Sequence, residues 1–334
     1  MLAMAAAALI GLGGGAGAQS ETDLAALKEI YRRPLSIPFP DHAPYSPQMA
    51  TLGKMLFFDP RLSEAQTVNC VSCHNPAFGY ETSVPKAIGA AGEPVERHTP
   101  SLLNAAWVPH FNWDGRASDL EHQAAGPITA RLQMNGRFDE IIERLSAISE
   151  YKMWFEKLFP GEGLTRNSIL TAIATYERTI VSGWAPFDCW IEGDEAALSD
   201  AAKRGFELFN GKAGCAQCHV GWNFTDNQFH DVGLPSEDPG RLPFDPLNRK
   251  SPYAFKTPGL RNLTYRAPYM HDGSLPDLEA VILHFQSGGI ERRSLSDSMP
   301  QPFALSDEER QDLIAFLKSL TAERSITAMP ILPN

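Results

Sequence analysis

Two short cysteine motifs in this chain have the spacing that attaches a porphyrin covalently. They are Cys70-Val71-Ser72-Cys73-His74 and Cys215-Ala216-Gln217-Cys218-His219. In a C-x-x-C-H motif each thiol can form a thioether to one porphyrin vinyl group, and the adjacent imidazole is placed to bind the iron. The pattern therefore predicts two covalently bound haem c groups, with His74 as the proximal ligand of the first iron and His219 of the second.

Similar cysteine pairs also occur in zinc ribbons and in thioredoxin-like dithiols. A zinc ribbon does not need a histidine after each pair, and neither pair lies in a βαβ pattern, so covalent haem is the favoured interpretation. The fifth cysteine, Cys189, stands apart from both motifs. A buried structural role is favoured for it over a reactive thiol.

Composition and the first residues predict an exported soluble protein. The 334 residues, 43% of them apolar, suggest about two domains. A net charge of −11 argues against binding to nucleic acid and mildly favours a basic or charge-patterned protein partner. Residues 1–18 are uncharged and end in Ala16-Gly17-Ala18, which predicts a cleaved signal peptide and a periplasmic location, although no Lys or Arg precedes the apolar stretch. No later apolar run is long enough for a membrane span.

The chain contains an internal duplication. The sequence G-x-x-L-F precedes both haem motifs, at Gly53 and at Gly205. Downstream, residues 99–121 align without a gap with residues 257–279, with nine identities over 23 positions. Such a match indicates two copies of one haem-binding unit.

Apolar residues at helical spacing, without strand-like alternation, predict an all-α fold with long irregular loops. Ser306 and Glu309 form a capping box at the start of the last helix. Further helices are predicted over 137–145, 151–158 and 167–181, and the loop 235–246 and the tail 331–334 are predicted to be irregular. We place the first domain at 19–192 and the second at 193–334.

Several segments together resemble the bacterial di-haem cytochrome c peroxidases, including their MauG branch, in which peroxide is used to oxidise a protein substrate. The resemblance spans roughly residues 40–322 and rests on the haem motifs, the two Thr-Pro-x-Leu-x-Asn segments, Trp113-Asp114-Gly115-Arg116 and residues 268–273. It implies two tandem cytochrome c-like domains with a haem between the helices of each. The first haem would react with peroxide, the second would transfer electrons, and Trp113 would relay electrons between them.

Two departures from the family concern the first haem and a calcium ion. The loop 82–96 lacks the histidine with which classical members block the first iron, so an open first haem is expected, as in MauG. His98 stands where the family has an Asn that ligates calcium, and Arg266 stands where it usually has Thr. Both changes make one calcium ion between the domains doubtful, although backbone oxygens at Arg266 and Pro268 could still bind a hard cation.

The residues expected beside peroxide also differ. The family has Glu before Met where this chain has Gln133-Met134, and Gln123 matches a family glutamine of the same pocket. An amide can hydrogen-bond peroxide but cannot carry its proton. His122 is a candidate substitute base, although a solvent-exposed role is favoured for a lone histidine.

The sixth ligand of the second haem is open at this stage. Phe285 aligns with the family's Met or Tyr ligand and cannot bind iron. Met299, on the longer segment that follows, is the preferred candidate, ahead of an unligated iron and of Met270 or His284; its alternative role is to fill the core.

The predicted function is a periplasmic di-haem oxidoreductase that reacts with hydrogen peroxide. Electrons would come from a small cytochrome c or cupredoxin, as in a peroxidase, or from a protein substrate, as in MauG. Gln133 and Phe285 also fit an alternative, a di-haem electron carrier without peroxidase turnover. A homodimer is left open.

Overall fold

The computed structural model describes residues 24–334, and its helices form two groups that repeat one arrangement. The first group comprises α1 (Pro47–Phe58), α2 (Cys70–Cys73), α3 (Leu120–Thr129), α4 (Phe138–Ser146), α5 (Ser149–Leu158) and α6 (Arg166–Arg178). The second group comprises α7 (Pro186–Ile191), α8 (Asp200–Asn210), α9 (Leu278–Ser287) and α10 (Asp307–Ser319). Single 3₁₀ turns lie at Pro60–Leu62, Pro76–Phe78, Ala105–Trp107, Cys215–Gln217 and Leu263–Tyr265.

The helices predicted from apolar spacing are present, with small changes at their ends. Those predicted at 137–145 and 151–158 are α4 and α5, whereas the helix predicted to reach residue 181 ends at Arg178. The capping box of Ser306 and Glu309 is confirmed, since each side chain binds the other residue's backbone N–H. The loop 235–246 and the tail 331–334 contain no helix.

In each group the helix before the haem motif crosses the last helix at a glycine. A Cβ atom at Gly53 of α1 would lie 1.9 Å from the Ala172 carbonyl oxygen of α6. In the second group a Cβ at Gly205 of α8 would lie 2.0 Å from the Asp312 carbonyl oxygen of α10. The G-x-x-L-F repeat is therefore a steric requirement, because only glycine lets the two backbones approach this closely.

The repeated asparagines, Asn104 and Asn262, attach the loop in which each lies to the residues just after the last helix of its unit. Asn104 and Asn262 both have left-handed backbone angles, with φ of 61° and 57°. The Asn104 side-chain oxygen accepts a hydrogen bond from the Ser182 N–H at 3.0 Å, and that of Asn262 accepts one from Ala322 at 3.0 Å. The two copies therefore share this hydrogen bond as well as the sequence pattern.

The expectation of a wholly helical fold needs one correction. Two strands of two residues each, β1 (Phe229–His230) and β2 (Phe255–Lys256), pair antiparallel in the second half. They are too short to produce an alternating sequence pattern. The fold is thus helical with very little sheet.

Each group of helices has its own apolar core. The first core runs from Leu52 to Ile180, and the second contains Tyr31 together with residues from Phe187 to Leu320. Helix α7 and Tyr31 therefore pack with the second core although both precede residue 193. The division at 192/193 stays a prediction; side-chain packing changes from one core to the other between Ile180 and Phe187.

The signal peptide predicted over 1–18 lies outside the described residues. Within residues 24–334, no helix combines the length and the apolar character needed to cross a membrane.

We expect Gly53→Ala to lower the free energy of unfolding by about 1–3 kcal/mol, because the added methyl group pushes α1 away from α6. Denaturant titration followed by the helical circular dichroism signal would measure the change. Gly126→Ala on α3 is the matched control: a Cβ there meets no atom within 4 Å, so helix propensity should make it neutral or slightly stabilising. Equal effects of the two substitutions would contradict the steric explanation.

Candidate haem sites and the wall between them

Both motif histidines are held in the same way by the chain that follows them. The Nδ1 atom of His74 lies 2.9 Å from the Tyr80 carbonyl oxygen, and Nδ1 of His219 lies 2.9 Å from that of Phe224. A proton on Nδ1 that is donated to a carbonyl leaves Nε2 free to bind a metal. Burial lowers the pKa of both imidazoles, which favours this neutral form.

The first cavity surrounds His74 and brings the predicted site residues together. Cys70, Cys73 and His74 line it, as do Gln123 and Gln133. His122 is exposed and lies in an outer cleft beside the two glutamines, not in the cavity of the cysteines. The structure thus brings the two glutamines together with His74, and it places the candidate base His122 outside that cavity.

The second cavity is more apolar and contains the candidate sixth ligand. Cys215, Cys218 and His219 line it together with Met270, Phe285 and the buried Met299. The neighbouring His284 is turned away, since its Nε2 lies 2.8 Å from the Val232 carbonyl oxygen. Met299 and Met270 are therefore both placed to reach this cavity.

A pocket next to the first cavity, also lined by His74 and Gln123, shares a wall with the second cavity, and that wall contains Trp113. The Trp113 indole N–H donates to the His98 carbonyl oxygen at 2.8 Å, and its own carbonyl accepts from the Lys256 N–H at 2.7 Å. These bonds fix the ring between the two motifs.

Three charged side chains also belong to this shared wall: Glu81, Lys256 and Arg266. Arg266 donates to the Glu81 carboxylate at 2.8 Å and to the carbonyl oxygens of Gly259 and Arg261 at 2.7 and 3.0 Å. Burial, together with the Arg266 charge, lowers the pKa of Lys256 to about 8.

These residues do not fit a calcium site. Calcium needs several oxygen ligands, but the guanidinium of Arg266 already occupies the carboxylate of Glu81 and two nearby carbonyls. His98 offers ring nitrogens, one of them 3.0 Å from the Pro85 carbonyl oxygen. The guanidinium of Arg266 is thus a fixed positive charge at the place where the resemblance implied a calcium ion.

The cavities do fit covalent haem. Each combines two cysteines, a histidine oriented through Nδ1 and an apolar lining. The cysteine pairs lie in separate cavities, so they do not form a four-cysteine zinc ribbon. Among the described residues, the one group of three or more metal-ligating side chains is Cys218, Asp226 and His230.

Several residues at these sites are not predicted from the sequence. His230 of β1 bonds Asp226 at 2.8 Å and Ser296 at 2.7 Å, and the Asp226 carboxylate raises the pKa of His230 to about 10. Glu177 lines the first cavity. The i, i+4 spacing of Asp226 and His230 could have indicated that the two side chains meet. For Glu177 the sequence indicates only that it lies on a buried face of its helix.

The fold and the two sites define a protein with two cytochrome c-type domains and two c-type haems. Residues 47–196 match the family described as di-haem cytochrome c peroxidase, and residues 202–321 match cytochrome c. This chain is 50% identical over 317 residues to methylamine utilization protein MauG of Methylorubrum extorquens, covering 94% of this chain and 90% of that protein. It is 44% identical to MauG of Methylophilus methylotrophus, covering 92% of each.

A solved structure agrees with these matches. A MauG-like protein associated with microbial copper homeostasis superposes with a TM-score of 0.80 at 30% identity, covering 87% of this chain and 95% of that one. The chain belongs to the di-haem cytochrome c peroxidase and MauG family. It is an oxidoreductase of the di-haem peroxidase type.

We expect Arg266→Met to destabilise the folded protein by about 3–5 kcal/mol, because it leaves the buried Glu81 without its cation. Thermal unfolding of the purified protein would measure the loss. Removing both charges in a Glu81→Gln, Arg266→Met double variant should recover part of the stability. Arg137→Met breaks an exposed pair with Asp139 and should have no measurable effect. An Arg266→Met protein as stable as the wild type would show that the wall does not depend on this ion pair.

Proposed function

We propose that this protein is an exported di-haem enzyme that reacts with hydrogen peroxide in the first cavity and exchanges electrons with a protein partner through the second. The observation that carries the proposal is Trp113, which lines both a pocket beside His74 of the first motif and the cavity that contains the second motif. When bound, the haems supply iron centres that reduce peroxide and carry electrons. The periplasmic location follows from the predicted signal peptide.

The motif residues are assigned by their place in the cavities. Cys70 and Cys73 attach the first haem, and Cys215 and Cys218 attach the second. His74 and His219 supply the proximal Nε2 atoms, because their Nδ1 atoms are bonded to backbone carbonyls.

The first cavity is accessible to a small molecule such as peroxide. Apart from His74, no described residue that lines it is a histidine, in agreement with the absence of His from the loop 82–96. Gln123 and Gln133 offer amide groups that can orient peroxide by hydrogen bonds. Neither amide can take up and return a proton at neutral pH, so another group must do so.

Trp113 is proposed as the electron relay, since it lines both the second cavity and the pocket beside His74, and its indole is held by a bond to His98. The wall functions without calcium, because the positive charge there is supplied by Arg266. Removal of divalent ions by a chelator is accordingly expected to leave the visible spectrum unchanged.

The partner is proposed to be a protein substrate, as in MauG. The open first cavity supports this, and so do the names of the relatives at 50% and 44% identity. A small cytochrome c or cupredoxin as electron donor is the peroxidase variant of the same function. A homodimer remains a prediction.

A titration of the purified ferric protein with hydrogen peroxide, without reductant, tests the function. We expect a lasting loss of the high-spin signal at about one equivalent of peroxide, with new near-infrared absorption that reports sharing between the two sites. A spectrum that stays unchanged until the haem bleaches would contradict the proposal. The protein would then be an electron carrier, the alternative that Gln133 suggested.

Met299 is proposed as the sixth ligand of the second haem, because its thioether is buried and lines that cavity. We expect Met299→Ala to convert most of the low-spin signal of the second haem to high spin and to lower its reduction potential, since a thioether ligand raises the potential. Electron paramagnetic resonance and redox titration would measure both effects. Met270→Ala, in the same cavity, is the control and should keep the low-spin signal. The reverse result would assign the ligand to Met270.

A further inference from the structure

One carboxyl group in the first cavity has no role in the proposed reaction with peroxide. Glu177 is 4% exposed and lies near the end of α6, and its side chain lines the same cavity as Gln123 and Gln133. It is the one acidic residue among the described residues that line the part of the cavity with Cys70 and Cys73, since Glu81 lies in the wall toward the second cavity. Cys70 and Glu177 line the same cavity, and burial, followed by the Glu177 charge, raises the pKa of the Cys70 thiol.

The duplication shows that this carboxyl group is specific to the first cavity. The glycine crossings align the last helices, since Gly53 faces Ala172 and Tyr176, and Gly205 faces Asp312 and Phe316. The two contacts of Gly53 correspond to the two contacts of Gly205 by a constant shift of 140 residues, from 172 to 312 and from 176 to 316. The same shift aligns Glu177 with Leu317. Leu317 lines the second cavity. Where one copy has an apolar side chain against its haem site, the other has an acid.

Packing does not explain why residue 177 is a glutamate. The Oε2 atom of Glu177 is fully buried and has no hydrogen-bond partner among the described residues. The adjacent Arg178 cannot satisfy it, because its guanidinium is bonded to both oxygens of Glu121 at 3.0 and 2.8 Å. A buried carboxyl without a partner costs free energy. Leucine, which the second copy uses here, would avoid that cost.

We propose that Glu177 is the proton-transferring group of the first cavity, in place of the family's distal glutamate, which is Gln133 in this chain. The inference rests on the proposed reaction with peroxide. Its carboxylate takes one proton from hydrogen peroxide as peroxide binds. When the O–O bond breaks, with two electrons from the iron centres, Glu177 returns that proton to the departing oxygen, which leaves as water. The amides of Gln123 and Gln133 hold the peroxide during the transfer.

The electrostatics of the site suit this role. Burial raises the pKa of Glu177 to about 8; Arg178 opposes the shift and Glu121 of α3 adds to it. The other titratable groups near it are Cys70, Cys73 and His74, which the haem engages, and Tyr176 on its own helix. A group with a pKa near the working pH is present in both forms and can both accept and donate a proton.

Substitution of Glu177 in the di-haem holoprotein tests the proposal. We expect Glu177→Gln, which keeps the shape of the side chain, to slow the stopped-flow reaction with peroxide by about 100-fold. In the wild type the rate should rise as pH increases through the pKa of Glu177, and the variant should lose this dependence. Glu177→Leu copies the residue of the second cavity and guards against a folding defect. Glu156→Gln, on an exposed glutamate, is the control and should react like the wild type.

A second readout does not depend on turnover. Binding of hydrogen cyanide to the ferric protein releases a proton, which Glu177 should take up, so an infrared band of a protonated carboxyl should grow. The band should be absent in Glu177→Gln. Adding Gln133→Glu to that variant should restore both the band and the reaction with peroxide.

The outcomes separate the two proposals. A wild type that is inert to peroxide but shows the carboxyl band would refute the peroxide function and keep Glu177 as the proton acceptor of the cavity. A wild type that reacts with peroxide at the same rate as Glu177→Gln, with no band in either protein, would overturn the assignment of Glu177 alone.

Discussion

The bond between each motif histidine and a backbone carbonyl determines how both sites work. It fixes the proton on Nδ1 and directs Nε2 into the cavity, and it depends on a turn a few residues downstream. In both units the residue that supplies the carbonyl has a left-handed backbone: Tyr80 has φ of 59° and Phe224 has φ of 56°. The same turn in both units therefore directs both imidazoles, so the haem sites depend on the backbone after each motif as well as on the motif itself.

The two units share this framework and differ in what lines their cavities. The first has amides and an unpaired carboxyl, which is a polar environment suited to a reacting molecule. The second has apolar residues and two methionines, which is suited to holding a redox centre that exchanges electrons without binding substrate. The two copies thus differ in the polarity of their cavities, while the hydrogen bonds of His74 and His219 stayed the same.

The wall between the cavities combines an aromatic ring with buried charge. Trp113 is held by backbone partners on both sides, and the pair of Glu81 and Arg266 lies beside it. A guanidinium in this position cannot be removed by chelation, unlike a bound metal ion, so the positive charge beside Trp113 is permanent. Lys256, which also lines this wall, adds a second basic side chain to it.

Local patterns in the sequence determined the haem chemistry, the duplication and most helices. Covalent attachment depends on residues within one five-residue motif, and helix caps such as Ser306 and Glu309 act within one turn. The glutamines at 123 and 133 were also readable, because the family resemblance aligned them. The pairing of β1 with β2 was not, since strands of two residues have no periodicity.

Only the tertiary structure decided which distant residues share a cavity. Glu81 and Arg266 are 185 positions apart, and the fold brings them together as an ion pair in the wall beside Trp113. Glu177 is an ordinary helix residue by sequence; its importance arises from the crossing of α1 and α6, which turns it toward the first haem motif and leaves one oxygen without a partner. Burial and pairing are properties of the packed chain, and for that reason the proton-carrying group became visible only in the fold.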